Sequence, residues 1–194
     1  QPFLDDRTLL RQRLLAAHAV LRDQPEVDPA NTGAIGFCFG GLCALDLARS
    51  GADLAGVVSF HGLFHPPPAG SNAAITARVL ALHGWDDPMV PPAQVEALAA
   101  EMTAAGADWQ LHAHGQSYHA FTTLGANDTN MGTVYNADAD RRSFASLSAS
   151  LPSTWASRTG RSITPRHSQA IRSMPTSPVL AGTRPASEAE AARP

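Results

Sequence analysis

The amino-acid sequence predicts an α/β fold with a mostly parallel sheet and helices packed on its faces. Before residue 151, short apolar runs alternate with segments in which apolar residues recur at helical spacing, a pattern typical of βαβ units. The 44% hydrophobic content of the 194 residues is ordinary for a globular protein and allows a packed core.

The predicted elements follow one another with short connections. Apolar residues within 7–23 recur every three to four positions and stop before Pro25, which indicates a helix. The other predicted elements are strands at 34–37 (buried), 56–60, 78–83 (after a Pro- and Gly-rich loop at 65–72) and 109–113 (half-exposed), and helices at 40–50, 92–105 and 137–151. Because the sheet begins directly with the strand at 34–37, one of its edges is uncovered, and we expect the first strands of the fold to be missing.

The charge distribution predicts two regions. Residues 1–151 contain eight Arg against fifteen Asp plus Glu, whereas residues 152–194 contain six Arg against two Glu. The second region is rich in Ser, Thr, Pro and Arg, and its few apolar residues show no sustained period. Such a composition buries too little apolar surface to offset the entropy of ordering. We therefore expect a folded domain at 1–151 and a disordered tail at 152–194.

Composition also bears on partners and location. The formal charge of −3 and the pI near 6.2 give no reason to expect binding to nucleic acid or to an anionic membrane. There is no run of about 18 apolar residues, and the first residues do not read as a secretory signal, so we expect a cytoplasmic protein. Cys38 and Cys43 lie five positions apart and point to different sides of a predicted helix, so no disulfide is expected. Cys43 lies in an apolar run and reads as a structural residue.

The strongest chemical signal is the segment Gly36–Gly41, which reads Gly-Phe-Cys-Phe-Gly-Gly between a predicted strand and a predicted helix. It has the form of a nucleophile elbow, with Cys38 where most elbows have Ser. The backbone turns sharply here, so we expect that Gly36 and Gly40, two residues to either side, must lack side chains. The helix N-terminus favours a thiolate, and the N–H of Phe39 is a candidate oxyanion donor. The alternative is a glycine-rich turn around a buried thiol.

An elbow requires an acid and then a histidine on later loops, each after a strand. The adjacent residues Asp86 and Asp87 follow the strand at 78–83, and spacing alone does not separate them. His119 lies on the loop after the strand at 109–113. An adjacent imidazole activates a thiol at neutral pH, and a carboxylate fixes the tautomer of that imidazole. Three such pieces in this order predict a hydrolase.

Four further histidines lie at the ends of predicted strands: His61, His83, His112 and His114. Histidines at such places are more often structural than catalytic, and we expect His61 and His83 to hydrogen-bond loop backbone. His112 and His114 are spaced like a metal-binding pair, but no nearby cysteine or carboxylate completes a ligand set. No metal is therefore predicted.

Five blocks of the sequence together resemble the dienelactone hydrolase family. They are Gly36–Gly41, Val58–Gly62, Leu82–Gly84 with Asp87–Pro88 and Val90–Pro91, Tyr118–Thr122, and Tyr135–Arg142, and they lie in order between about residue 10 and residue 151. The resemblance implies an α/β-hydrolase fold and a Cys-His-Asp triad in which the acid is Asp87, not Asp86. It also implies hydrolysis of dienelactone or related small esters without a cofactor.

Two departures from the family pattern bear on activity. Only 37 residues precede Cys38, and the upstream part of family members normally supplies a second oxyanion N–H and a glutamate that holds the resting cysteine. Loss of one oxyanion donor costs about 10²–10³ in turnover. Members that cleave dienelactone also have an arginine shortly after the histidine, and residues 121–125 contain none.

We therefore expect a hydrolase of small esters or lactones, of the carboxymethylenebutenolidase type. It would form a thioester on Cys38 with the help of His119 and Asp87, and Trp85 and Tyr118 are candidates to line the substrate pocket. A small-molecule substrate is the one expected partner, and the protein should be a monomer or weak oligomer. The alternatives are a thioesterase or peptidase on the same fold, or a catalytically impaired truncated fragment.

Overall fold

A computed structural model describes residues 2–159, and the side chains of residues 3–150. The elements, in chain order, are α1 (Pro2–Asp5), α2 (Arg7–Arg22), β1 (Gly33–Phe37), α3 (Phe39–Arg49), β2 (Gly56–Phe60), β3 (Arg78–Gly84), α4 (Pro92–Ala104), β4 (Trp109–His114), β5 (Asn127–Asp128), β6 (Thr133–Val134) and α5 (Ala137–Thr159). Every predicted helix and strand is present. Their ends agree with the prediction to within one residue, except that α5 continues past the predicted domain boundary to Thr159. The rest of the predicted tail lies outside the described residues.

Three short elements have no counterpart in the sequence pattern. They are α1, with four residues, and the antiparallel pair β5–β6, with two residues in each strand. Elements of this length are too short to show a period of 2 or 3.6 residues. At the other extreme, α5 has 23 residues, yet none of the helices between residues 2 and 159 is both long and apolar enough to cross a membrane.

The four longer strands form one sheet in the order β1-β2-β3-β4, and all neighbouring strands are parallel. Successive residues of a strand point to opposite faces, so Val57 and Val58 of β2 enter two different core clusters. The first cluster includes Leu45 of α3 and Leu98 of α4, and the second includes Leu147 of α5. The sheet is therefore covered by helices on both faces, as the sequence predicts.

β1 departs from the prediction of a buried strand. It lies at the edge of the sheet, and Ile35 and Phe37 are 45% and 43% exposed. Phe37 stacks on Phe60 at 4.6 Å between ring centroids, and Phe144 of α5 lies 6.4 Å from Phe37. Helix α3 packs on the opposite face of β1, whereas the face formed by Ile35 and Phe37 is only partly covered, by Phe144 of α5.

A buried cluster of ion pairs joins three helices. Arg7 of α2 binds both carboxylate oxygens of Asp46 in α3, at 2.7 and 2.6 Å. Arg49 of α3 binds both oxygens of Glu101 in α4, at 2.8 and 2.6 Å, and its Nη1 lies 3.4 Å from Asp46. Asp46 and Arg49 are fully buried. These contacts fix α3, and with it the turn at its N-terminus, relative to the helices on either side.

Candidate active site

Cys38 occupies a strained turn between β1 and α3. Its φ is 55° and its ψ is −121°, a conformation that non-glycine residues rarely adopt and that is concentrated at functional sites. The N–H of Cys38 donates to the carbonyl of Phe60 at 3.0 Å, and its carbonyl accepts from the N–H of Gly41 at 3.0 Å. Hydrogen bonds on both sides therefore hold this turn in place.

Two glycines of the motif are required by close approaches at the turn, and one of them is not the glycine that was predicted. A Cβ at Gly36 would overlap the carbonyl of Gly40, as expected. A Cβ at Gly40 itself would meet nothing within 4 Å, so the prediction that Gly40 must lack a side chain is wrong. The second close approach lies one residue later, because a Cβ at Gly41 would lie 2.7 Å from the Cα of Gly62 and 2.5 Å from Oγ of Ser59. There the start of α3 packs against the end of β2.

The two candidate acids, on the loop after β3, have different surroundings. Asp87 is buried, and its two carboxylate oxygens have different partners. Oδ1 accepts a hydrogen bond from the N–H of Met89 at 2.8 Å, and Oδ2 lies 2.7 Å from Nδ1 of His119. Asp86 is exposed. The structure thus brings Asp87, and not Asp86, together with His119.

The backbone of His119 is held by the β5–β6 hairpin, for which the sequence has no predictive pattern. The N–H of His119 donates to the carbonyl of Gly132 at 2.9 Å, and its carbonyl accepts from the N–H of Val134 at 3.1 Å. The next residue, Ala120, has a φ of 56° and turns the chain sharply. The hairpin therefore fixes the direction in which the imidazole of His119 points.

The pKa of His119 lies above its ordinary value of 6.5. Burial is the largest influence and acts to lower it, but contacts with Asp87 and Cys38 and the negative charges that both can carry raise it and prevail. Since Nδ1 is occupied by Asp87, the nitrogen next to Cys38 is Nε2. This nitrogen is buried and makes no well-formed hydrogen bond within the described part of the chain. The imidazole therefore lies between a carboxylate and a thiol.

The predictions for His61 and His83 are wrong in detail. Nε2 of His61 lies 2.8 Å from Oγ1 of Thr122, a side-chain hydroxyl rather than loop backbone. Both ring nitrogens of His83 are buried without a partner among residues 3–150. Burial lowers the pKa of both residues, that of His61 to about 4. Both rings are therefore neutral at pH 7.

The other histidines and the second cysteine have structural surroundings. Nδ1 of His112 lies 3.0 Å from Oγ of Ser146, and the ring of His114 packs on Phe121 at 5.5 Å. The described residues contain no group of three or more His, Cys, Asp or Glu arranged to hold a metal ion. Both cysteines are free thiols, and burial, followed by the charge of Asp46, raises the pKa of Cys43. A raised pKa makes Cys43 a poor nucleophile.

The candidate substrate-binding residues lie around this group. Trp85 and Tyr118 belong to the loops of Asp87 and His119, and they are 44% and 37% exposed. Phe39 is the first residue of α3, and the first N–H groups of a helix have no acceptor within it. The rings of Trp85 and Tyr118 are thus exposed enough to contact a bound molecule, and their role in binding stays a prediction.

Comparison with known proteins shows the family to which the chain belongs. The sequence pattern of the dienelactone hydrolase family matches residues 4–151. An uncharacterized protein of Caenorhabditis elegans, K02A2.1, is 37% identical over 138 residues, which are 70% of this chain and 87% of that protein.

Two solved structures are similar in sequence and in fold. The dienelactone hydrolase-like promiscuous phosphotriesterase P91, from metagenomic libraries, is 38% identical with a TM-score of 0.75 over 80% of this chain. The protein m3DLH is 36% identical with a TM-score of 0.73 over 79% of this chain. The chain spans 65% of the length of each. It thus has the α/β-hydrolase fold and belongs to the dienelactone hydrolase family.

Proposed function

We propose that this protein hydrolyses small carboxylic esters or lactones, as a carboxymethylenebutenolidase-type enzyme in which Cys38 is the nucleophile. His119 is the general base and Asp87 orients it. The N–H of Phe39 is one donor to the oxyanion, and Trp85 and Tyr118 contact the substrate. A reducing, cytoplasmic setting that keeps Cys38 as a free thiol is part of the proposal.

One observation carries the proposal. Oδ2 of Asp87 lies 2.7 Å from Nδ1 of His119, and Cys38 is among the groups that raise the pKa of the same imidazole. A carboxylate on one ring nitrogen and a nucleophile beside the other is the arrangement that converts a weak nucleophile into a reactive one. Membership of a hydrolase family supports the same reaction class.

The reaction has two halves. His119 takes the proton of Cys38 on Nε2, the sulfur adds to the carbonyl carbon, and the oxyanion is stabilised by the amide of Phe39. The intermediate then expels the alkoxide, which receives the proton from His119, and leaves a thioester. Water adds to the thioester as His119 removes its proton, and the C–S bond breaks. This releases the carboxylic acid and restores the thiol. Asp87 stabilises the imidazolium in both halves.

Selective alkylation tests the identity of the nucleophile. The protein is treated with limiting iodoacetamide at pH 7, and the labelling of Cys38 and Cys43 is followed by mass spectrometry of their peptides. We expect Cys38 to label at least about tenfold faster, because thiolate character controls the rate. Equal and slow labelling of both cysteines would count decisively against Cys38 as the nucleophile.

A substrate panel tests the reaction class. Wild-type protein and the Cys38→Ala variant are assayed with p-nitrophenyl acetate, a small lactone, a thioester and a peptide. We expect turnover of the ester and the lactone by the wild type and none by the variant. Turnover of the peptide or the thioester alone would favour the alternative functions on the same fold.

A second candidate activity is phosphotriester hydrolysis. It is favoured by the 38% identity to a protein described as a promiscuous phosphotriesterase. Residues 120–126 contain no basic side chain that would prefer a carboxylate-bearing substrate, which is compatible with an uncharged ester of either kind. Diethyl p-nitrophenyl phosphate added to the panel measures this activity. Its loss in the Cys38→Ala variant would assign it to the same site.

A further inference from the structure

Two neighbouring strands end in strained residues beside the candidate base. Phe37 of β1 pairs in register with Phe60 of β2, so Cys38 and His61 are adjacent at the carboxyl ends of these strands. The φ of Cys38 is 55° and that of His61 is 36°. Non-glycine residues at positive φ cost free energy and are retained where the surrounding structure, often an active site, requires them. The strain at Cys38 is explained by the elbow, whereas that at His61 has no such explanation.

His61 contacts the loop of His119 at three places. Its ring meets the ring of His119 edge to face, with centroids 5.2 Å apart, and that of Phe121 in the same manner at 5.1 Å. Its Nε2 lies 2.8 Å from Oγ1 of Thr122. His61 is 2% exposed, so these contacts are shielded from water. One side chain at the end of β2 thus holds residues 119–122.

We propose that His61 and Thr122 form a positioning pair, in which their hydrogen bond and the edge-to-face contact hold the imidazole of His119 in line with Cys38. The proposal rests on the proposed function, because it assigns a role to these residues only if His119 is the base for Cys38. Neither residue touches the reacting atoms in this scheme. They act through His119.

The chemistry of a buried imidazole suits this role. The ring of His61 is neutral at pH 7, since burial and then the positive charge of His119 lower its pKa, and the contact with its own backbone and the charge of Asp87 oppose this only in part. A neutral ring next to His119 does not repel the imidazolium that forms during the reaction. A phenyl ring would supply the edge-to-face contact, but it lacks the nitrogen that bonds Thr122. The hydrogen bond between His61 and Thr122 is therefore the part of the contact that a phenyl ring cannot replace.

The consequence for catalysis follows from the geometry. A base must lie within hydrogen-bond reach of the proton that it removes, and a displacement of about 1 Å can cost about 10²-fold in rate. Thr122 lies three residues after His119, and the strained turn at Ala120 lies between them. Without the hydrogen bond, the turn can relax and carry the imidazole away from the sulfur.

Substitutions at Thr122 test the proposal with a matched pair. Thr122→Val keeps the shape and removes the hydroxyl, whereas Thr122→Ser keeps the hydroxyl. We expect kcat for p-nitrophenyl acetate to fall by at least roughly tenfold in Thr122→Val and in His61→Phe, with KM little changed, because alignment and not binding is lost. Thr122→Ser should retain most of the wild-type kcat.

A second readout does not need turnover. The rate of alkylation of Cys38 is measured against pH for the same variants, and thermal unfolding is followed in parallel. We expect Thr122→Val to slow alkylation at neutral pH and Thr122→Ser to restore it. If Thr122→Val retains the wild-type kcat and alkylation rate, or if Val and Ser lower kcat and the melting temperature equally, the positioning role is overturned.

The two proposals fail in different ways. A wild-type protein whose Cys38 labels no faster than Cys43 and that hydrolyses no ester contradicts the proposed function, and the positioning role falls with it. A wild-type protein that is active and labels rapidly at Cys38, together with an unaltered Thr122→Val variant, contradicts the positioning role alone.

Discussion

Asp86 and Asp87 are chemically identical neighbours whose surroundings differ completely. Asp87 is buried against His119, whereas the side chain of Asp86 is exposed. We expect Asp87→Asn to lower kcat by about 10⁴-fold, because an amide no longer stabilises the imidazolium and can hold the wrong tautomer. Asp86→Asn is the matched control and should retain nearly full activity. Steady-state kinetics on p-nitrophenyl acetate measures both, and a larger loss in Asp86→Asn would reverse the assignment.

The lowered pKa of His61 predicts that the stability of the fold depends on pH. The pKa of His61 in the folded protein is lowered from 6.5 to about 4, mainly by burial and then by the charge of His119. The neutral form is therefore favoured in the folded state, so stability is unaffected above pH 6.5 and falls as the pH drops towards 4. The full shift corresponds to roughly 3 kcal/mol. Other groups of the protein also bind protons as the pH falls, so the contribution of His61 requires a difference measurement.

The variant His61→Phe supplies that difference. The free energy of unfolding in urea is measured at pH 7 and pH 4.5 for the wild type and for the variant. Because phenylalanine binds no proton, we expect the variant to lose less stability on acidification than the wild type does. Its absolute stability at pH 7 is not the test. Equal losses in both proteins would contradict the assignment of a neutral His61.

The sequence indicates candidate site residues that lie within a short motif, but not contacts between residues that are distant in sequence. Cys38 is marked by five neighbours within the elbow, and the order of acid and histidine follows from its identity as a nucleophile. Thr122 and His61 are 61 residues apart in sequence, and each is an ordinary residue in its own segment. Only the parallel register of β1 and β2 brings His61 next to Cys38. No local pattern contains that information.

Two glycines of the elbow differ in whether a side chain would fit at their positions. A Cβ at Gly36 would overlap the carbonyl of Gly40, whereas a Cβ at Gly40 would meet nothing within 4 Å. We expect Gly36→Ala to lower the free energy of unfolding by about 1–3 kcal/mol or to prevent folding. Gly40→Ala should be neutral or slightly stabilising, since alanine favours a helix by about 1 kcal/mol over glycine. Denaturant unfolding of the two variants decides, and equal effects would contradict the close approach.

The ion-pair cluster between α2, α3 and α4 predicts a large contribution of one buried carboxylate to the free energy of unfolding. Asp46 is fully buried and accepts hydrogen bonds from Arg7 at 2.6–2.7 Å. Asp46→Asn leaves the buried guanidinium of Arg7 without its carboxylate partner, and we expect a loss of about 3–5 kcal/mol in the free energy of unfolding. Arg141 and Asp138 form an ion pair of similar length, 2.8 Å, at the exposed start of α5. Arg141→Ala, measured in the same denaturant titration, should leave stability unchanged, and a comparable loss there would contradict the role of burial.

At the scale of the whole molecule, the sequence predicted the order and kind of the main elements because each is long enough to show a period. It did not predict how β1 is covered. Ala34-Ile35-Gly36-Phe37 reads as a buried strand, but the side chains of Ile35 and Phe37 are nearly half exposed. Burial of a strand depends on which elements lie on both of its faces. A one-dimensional pattern records the apolar residues and not their neighbours.

The exposed face of β1 predicts self-association of the chain. Ile35 and Phe37 are 45% and 43% exposed on an edge strand, and Phe144 beside them is 39% exposed. Edge strands with exposed apolar side chains pair with other chains unless charges prevent it. We expect weak, concentration-dependent association in analytical ultracentrifugation, which Ile35→Lys reduces because a buried ammonium at such a contact is costly. Val20→Lys adds the same charge at an exposed position of α2, 63% exposed, and should leave association unchanged. If the two lysine variants sediment alike, net charge and not the β1 face controls association.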